Sequence, residues 1–176
     1  MKGDFFMKKL LIITAALISV GVLNKSKNES VVIPSSSIRF RVVSNSNAPG
    51  DIKTKLNLKR KLEDYLYDKV VSASTVSEAE KIVSSELDNI NGLIKQNLMS
   101  DNFTVSYGMN YFPSKTYKGI VYDGGYYNSL VVTLGDGEGD NWWCVLFPPL
   151  CLMEENETTS DVEYKFFVKS IIEKFR

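Results

Sequence analysis

The sequence predicts an α+β domain: an antiparallel β-sheet with two N-terminal amphipathic helices and a C-terminal helix packed on it. Three observations carry this expectation. Apolar residues recur at helical spacing between Ile52 and Ile94. They alternate with polar or small residues from Phe103 to Leu134, where the connections are too short for parallel crossovers. A last helical pattern runs from Val162 to Phe175, presenting Phe166, Phe167, Ile171 and Phe175.

The elements follow in order. Met7-Lys8-Lys9 precedes an apolar run from Leu10 to Leu23, which reads as an export signal with cleavage expected after Gly21. The run is short against the roughly 20 apolar residues of a membrane span. The divisions are therefore 1–23, signal peptide or N-terminal anchor; 24–37, polar linker; and 38–176, a single domain. Met7 is an alternative start.

Ile38 to Val43 alternates apolar and basic residues, the pattern of a strand with one wetted face. Ser44 to Pro49 is a turn and helix entrance, and Asp51 suits the positive end of the helix dipole. The first helix carries Ile52, Leu56, Leu62, Leu66 and Val70 inward, with Leu58 and Tyr65 beside them. Lys53, Lys55, Lys59, Arg60 and Lys61 form its solvated side. Thr75-Val76-Ser77-Glu78 is a capping box that opens a second helix through Ile94, with Asn91-Gly92 a soft spot. The sheet then continues as a meander: Phe103–Phe112, Tyr117–Tyr122 and Tyr126–Leu134, with turns at Pro113-Ser114-Lys115 and Asp123-Gly124-Gly125.

Composition narrows the chemistry. The 21 basic and 21 acidic residues cancel, so nothing marks a nucleic-acid or anionic-membrane binder. The chain has no histidine, which removes Ser-His-Asp triads, Cys-His dyads and most catalytic zinc sites. Asp123-Gly124-Gly125 resembles half of an aspartic protease motif, but one copy in a hairpin turn is turn chemistry. No catalytic residue, cofactor or metal ligand is assigned.

The unusual segment is Gly135 to Cys151, which holds both tryptophans and both cysteines. Gly135-Asp136-Gly137-Glu138-Gly139 is too acidic for a phosphate loop and leads to no helix N-terminus. It reads as a mobile turn; a divalent cation at Asp136, Glu138 and Asp140 would be held only weakly. Cys144 and Cys151 form a disulfide if Pro148-Pro149 bends the chain and the protein is exported. On a straight strand they would stand apart as free thiols. Trp142 and Trp143 point to opposite faces of a strand. One is expected in the core; the other is either core or an exposed recognition residue.

The chain resembles the stage II sporulation protein R family. The resemblance rests on Ile38 to Ser46, Tyr111-Phe112-Pro113-Ser114-Lys115-Thr116-Tyr117, Tyr126-Tyr127-Asn128-Ser129-Leu130 and, above all, Gly135 to Cys151. The turn Asp123-Gly124-Gly125 departs from the family's Pro-Ala-Gly-like turn. The resemblance implies a signalling ligand, not an enzyme, secreted from the forespore into the space between the forespore and mother-cell membranes. Its partner there would be a membrane-embedded aspartic protease that processes a sigma factor precursor. The surface expected to engage that protease comprises Asp136, Glu138, Asp140, Asn141, Trp142, Trp143, Phe147, Pro148 and Pro149. The alternative is an exported hydrolase or wall-binding module with an aromatic and acidic cleft, in which Asp136, Glu138 or Asp140 does acid–base work.

Overall fold

A computed structural model describes residues 33–151 and 160–175. The chain falls into two units, 1–30 and 31–176. The expected leader and most of the linker lie outside the described residues. Ten elements follow: β1 (Ile38–Val43), α1 (Pro49–Val70), α2 (Val76–Ser85), α3 (Leu87–Leu98), β2 (Phe103–Phe112), β3 (Lys115–Tyr117), β4 (Ile120–Tyr122), β5 (Gly125–Leu134), β6 (Asn141–Phe147) and α4 (Asp161–Lys174).

The domain is α+β, but its sheet is mixed. The strand order is β2-β5-β1-β6. β2 and β5 pair antiparallel along their full length, from Phe103 opposite Leu134 to Phe112 opposite Gly125. β1 then runs parallel to β5, with Arg39 opposite Ser129, and antiparallel to β6, with Phe40 opposite Cys144. The antiparallel meander is thus corrected at its centre. A strand from the start of the domain is inserted between two from its end, a pairing that local turn lengths do not encode. Tyr117–Tyr122 is not one strand either. Lys118 (φ 45°) and Gly119 (φ 72°) form a tight turn that folds β3 onto β4 as a separate hairpin.

Both faces of the sheet are covered. One face carries Ile38, Phe40, Val42, Leu130, Val132, Cys144 and Leu146, which pack against α1, α2 and α3. The helical stripe is Leu58, Leu62, Leu66 and Val70 on α1, Ala79 and Val83 on α2, and Ile90 and Ile94 on α3. Each large apolar side chain so buried contributes roughly 1.5–3 kcal/mol relative to exposure. Leu56 is 43% exposed, outside this stripe. Lys55 and Lys59, expected in solvent, are both buried, because the stripe turns toward Leu58 and carries them under β6. The opposite face carries Trp143 and Val145, covered by Ile120 and Tyr122 of the hairpin and Tyr164 and Val168 of α4. Tyr122 Oη and Tyr164 Oη share a 2.7 Å hydrogen bond that joins the two covers. On α4, Phe167 and Ile171 are partly buried as expected, Phe175 stacks edge-on against Phe147, and Phe166 is exposed instead of packed.

The helix starts obey the sequence. Thr75 Oγ1 accepts from Glu78 N (3.2 Å), while the Glu78 carboxylate reaches back to Ser74 N (2.8 Å). Ser160 and Glu163 close a full capping box on α4. The expected second helix is two, α2 and α3, broken at Glu86, whereas Asn91-Gly92 lies unbroken inside α3. Glu86 is anchored at the break. Its carboxylate accepts from Tyr65 Oη and from Asn89 Nδ2 (2.7 Å), and pairs with Lys69 Nζ (3.2 Å). These bonds, Tyr65 first, pull its pKa from 4.5 to about 2. A folded pKa below the unfolded one gives stability that is full above about 4.5 and is lost as pH falls through about 2. Glu86→Ala therefore lowers stability by roughly 1–3 kcal/mol at neutral pH. Denaturant midpoints taken down the pH scale should show the gap to wild type closing in that window; a gap constant with pH would contradict it.

Candidate functional site

The site is built on β6, whose sequence combines a strand with two interruptions. Asn141 to Phe147 pairs with β1, and Pro148-Pro149 then ends the ladder because proline has no N–H to give it. The Phe147–Pro148 peptide is cis. The chain turns back, and Leu150 N donates to Val145 O (3.2 Å). This brings the Cα atoms of Cys144 and Cys151 to 5.4 Å, and they are joined as a disulfide. Of the two arrangements open to these cysteines, the bent one is adopted.

The disulfide lies deep. Cys144 and Cys151 are both buried, and the Glu63 carboxylate comes within 4.8 Å of both sulfurs. Among the described residues these three are the one convergent set of possible metal ligands, and both sulfurs are committed to each other. Glu63 is paired with Lys59 (3.1 Å), itself buried. Lys59 Nζ also sits 4.5 Å from the centre of the Trp142 ring. A buried ion pair, a tryptophan and a disulfide thus fix β6 against α1.

Trp142 and Trp143 do face opposite sides of the sheet. Trp142 packs in the α1 layer, edge-on to Phe40 at 5.6 Å. Trp143 packs in the other layer, between Phe112 (5.9 Å) and Tyr122 (5.7 Å). Both are half-buried, so each is core on one side and surface on the other. Arg39 and Lys115 approach the Trp143 ring, at 5.8 and 5.4 Å from its centre. Burial lowers the pKa of Arg39, offset by Tyr127, Tyr122 and Asp123 nearby; burial also lowers that of Arg41.

The glycine loop is held, not the mobile turn that its composition suggested. Asn45 Oδ1 accepts from Asp136 N (3.0 Å), and Asn45 O from Glu138 N (3.0 Å). Ser44 O accepts from Gly139 N (2.9 Å), and Asn47 Oδ1 from Asp140 N (2.8 Å). Lys55 Nζ donates to Asp140 O (2.8 Å). The supporting Ser44–Asn47 segment is tied in turn to Asp51, which accepts from Asn45 Nδ2 (2.9 Å) and Ser46 Oγ (2.6 Å). Gly139 is required by space: a Cβ there would lie 2.4 Å from Ser46 O.

The nine residues expected to form one surface divide. Asp136, Glu138, Asp140 and Asn141 are exposed, Trp142 and Trp143 are half-buried, and Phe147, Pro148 and Pro149 are buried. The last three shape the disulfide loop from inside. Two grooves, of about 330 and 170 Å³, lie beside α1, and neither is lined by Asp136, Glu138 or Asp140. Sequence reasoning missed Lys55, Lys59 and Glu63, although their spacing of four, next to Leu58 and Leu62, is a detectable signal. It also missed Arg39 as a buried residue and Arg41 as a half-buried one, since alternation alone assigned both to water.

Residues 34–157 match the family model for stage II sporulation protein R. The match spans β1 to the disulfide and includes every residue of the β6 block. The chain belongs to the stage II sporulation protein R family. It is 32% identical over 173 residues to the stage II sporulation protein R of Bacillus subtilis (strain 168), covering 93% of this chain and 77% of that protein. No solved structure matches. Family membership gives the chain a role in sporulation.

Proposed function

We propose that this protein is an exported sporulation signal that triggers a membrane-embedded aspartic protease of the mother cell to process a sigma factor precursor. It acts as a ligand in the space between the forespore and mother-cell membranes. The observation that carries the reading is the β6 block, in which a disulfide and an ion pair hold two half-buried tryptophans beside a pinned acidic loop. Such an element is already ordered before it meets a partner, which lowers the entropy cost of binding. The exposed Asp136, Glu138, Asp140 and Asn141, with the outer edges of Trp142 and Trp143, form the contact face. The resemblance to the family supports this class of partner, and the basic-then-apolar run from Met7 to Leu23 supports export.

Reconstitution tests it. Residues 31–176, supplied outside cells that carry the protease and the precursor, should shorten the precursor on a gel in a dose-dependent manner. The shortening should vanish when the protease is absent. No shortening from folded protein with access to the membrane would overturn a diffusible ligand.

A further inference from the structure

The sheet face under the hairpin and α4 holds cations without acids. Arg39 is 1% exposed, and among the described residues none of its three guanidinium nitrogens meets a well-aligned acceptor or an acid. Its Cζ lies 4.2 Å from the centre of the Tyr127 ring and 5.7 Å from that of Tyr122. Tyr127 Oη donates to Asp123 O (2.8 Å), and its oxygen is the neutral group that most favours the Arg39 charge. Arg41, two residues along the same strand face, stands opposite Trp143 with its Cζ 4.8 Å over Phe112; its Nε is also buried and unpartnered. Lys115 Nζ covers Trp143 from the exposed side. Phe112 closes the box, edge-on to both Tyr127 and Trp143. Among the described residues, no ion pair includes any of these three cations. Asp123 is near enough to favour the charge on Arg39, yet it is exposed and makes no hydrogen bond to it.

Ring faces attract a guanidinium, but its N–H groups point outward in its own plane, so stacking leaves them unmade. A buried charged donor without an acceptor is costly, and here the cost recurs at neighbouring positions around one tryptophan. An anion that reached these donors would meet groups already stripped of water and held by aromatic walls.

We propose that Arg39, Arg41 and Lys115, arranged around Trp143, form a docking site for a carboxylate side chain on an acidic segment of the partner protein. This rests on the ligand reading above and names the chemistry that one side of the ligand recognises. Lys115 is the exposed entry, Arg41 the half-buried second contact, and Arg39 the buried floor. The planar guanidinium fork matches a carboxylate. The recessed placement of the arginines favours a single inserted side chain over a flat anionic membrane, which would touch only Lys115.

The test uses the full chain, with a hexaglutamate peptide as probe, a hexaglutamine peptide as neutral control and vesicles containing phosphatidylglycerol as the membrane arm. The readout is the indole N–H resonance of Trp143, assigned with Trp143→Phe. Hexaglutamate should move the Trp143 signal, hexaglutamine should not, and added salt should weaken the effect. Arg41→Gln combined with Lys115→Gln should weaken binding roughly tenfold or more. Lys115→Glu, a single change at an exposed position, serves where the double variant fails to fold. An unmoved Trp143 signal, binding unchanged in the charge variants, or binding to vesicles but not to the peptide would each overturn the site. The same variants in the processing assay separate the two readings. Peptide binding lost with processing intact removes this site from the signal and leaves the signal standing. Wild-type protein that binds hexaglutamate yet never shortens the precursor overturns the signal and leaves a carboxylate site.

Discussion

Replacing Cys144 and Cys151 together by alanine should lower stability by roughly 2–3 kcal/mol. The bonded cysteines are seven residues apart, so the disulfide closes a short loop and its effect on the unfolded chain is modest. The loop nevertheless positions much of the β6 end: it buries Phe147, Pro148, Pro149 and Leu150 and sets Phe147 against Phe175 of α4. Urea titrations of wild type and variant, each with and without a reductant, check this. The reductant should move the wild-type midpoint to that of the variant and leave the variant where it is. Coincident midpoints for oxidised wild type and variant would mean that β6 pairing alone holds the loop.

Trp142→Ala should cost about 3 kcal/mol or more, through three losses at once. The ring's edge contact with Phe40 disappears, a cavity opens in the α1 layer, and Lys59 loses the aromatic face 4.5 Å from its ammonium. Lys59 and Glu63 would remain as a buried pair beside a void, where water can reach them. Denaturation gives the magnitude. Hydrogen exchange gives the location, because protection should fall in α1 and β6 together while α4, on the other face, changes less. A uniform loss, or one confined to β6, would show that Trp142 does not join the strand to the helix.

The residues that declared themselves in the sequence are those whose partners are close along the chain. Thr75 and Glu78, the proline at the entrance to α1, the alternation of Phe103 to Tyr107 and the opposite facing of Trp142 and Trp143 are all local patterns, and all are present; past Gly108 the pattern fails, for Met109 and Tyr111 are exposed and Phe112 is buried. The disulfide was legible for the same reason, since both thiols and the bend between them sit in one segment. Partners distant in sequence were not legible. The place of β1 between β5 and β6 depends on contacts from Arg39 to Ser129 and from Phe40 to Cys144. Lys55 looks like a solvated lysine until the Asp140 carbonyl arrives to accept its hydrogen bond. The glycine loop looks mobile until Ser44–Asn47 lies beneath it. In the site, the exposed acids could be read from composition, whereas the unpaired arginines could not, because nothing in β1 says that an aromatic hairpin will cover it.

The position of β1 bears on the order in which the chain is made and the order in which it can assemble. β1, one of the two inner strands of the sheet, is the first to be synthesised, but its parallel neighbour begins only at Gly125 and its antiparallel neighbour at Asn141. Until those residues emerge, α1, α2 and α3 have an apolar stripe and no sheet on which to lay it. A nascent chain therefore spends most of its synthesis without its core, and completion of β6 is the event that lets the two halves close together. Were the chain exported, as proposed above, that delay would keep it in a form that can still be threaded through a narrow channel.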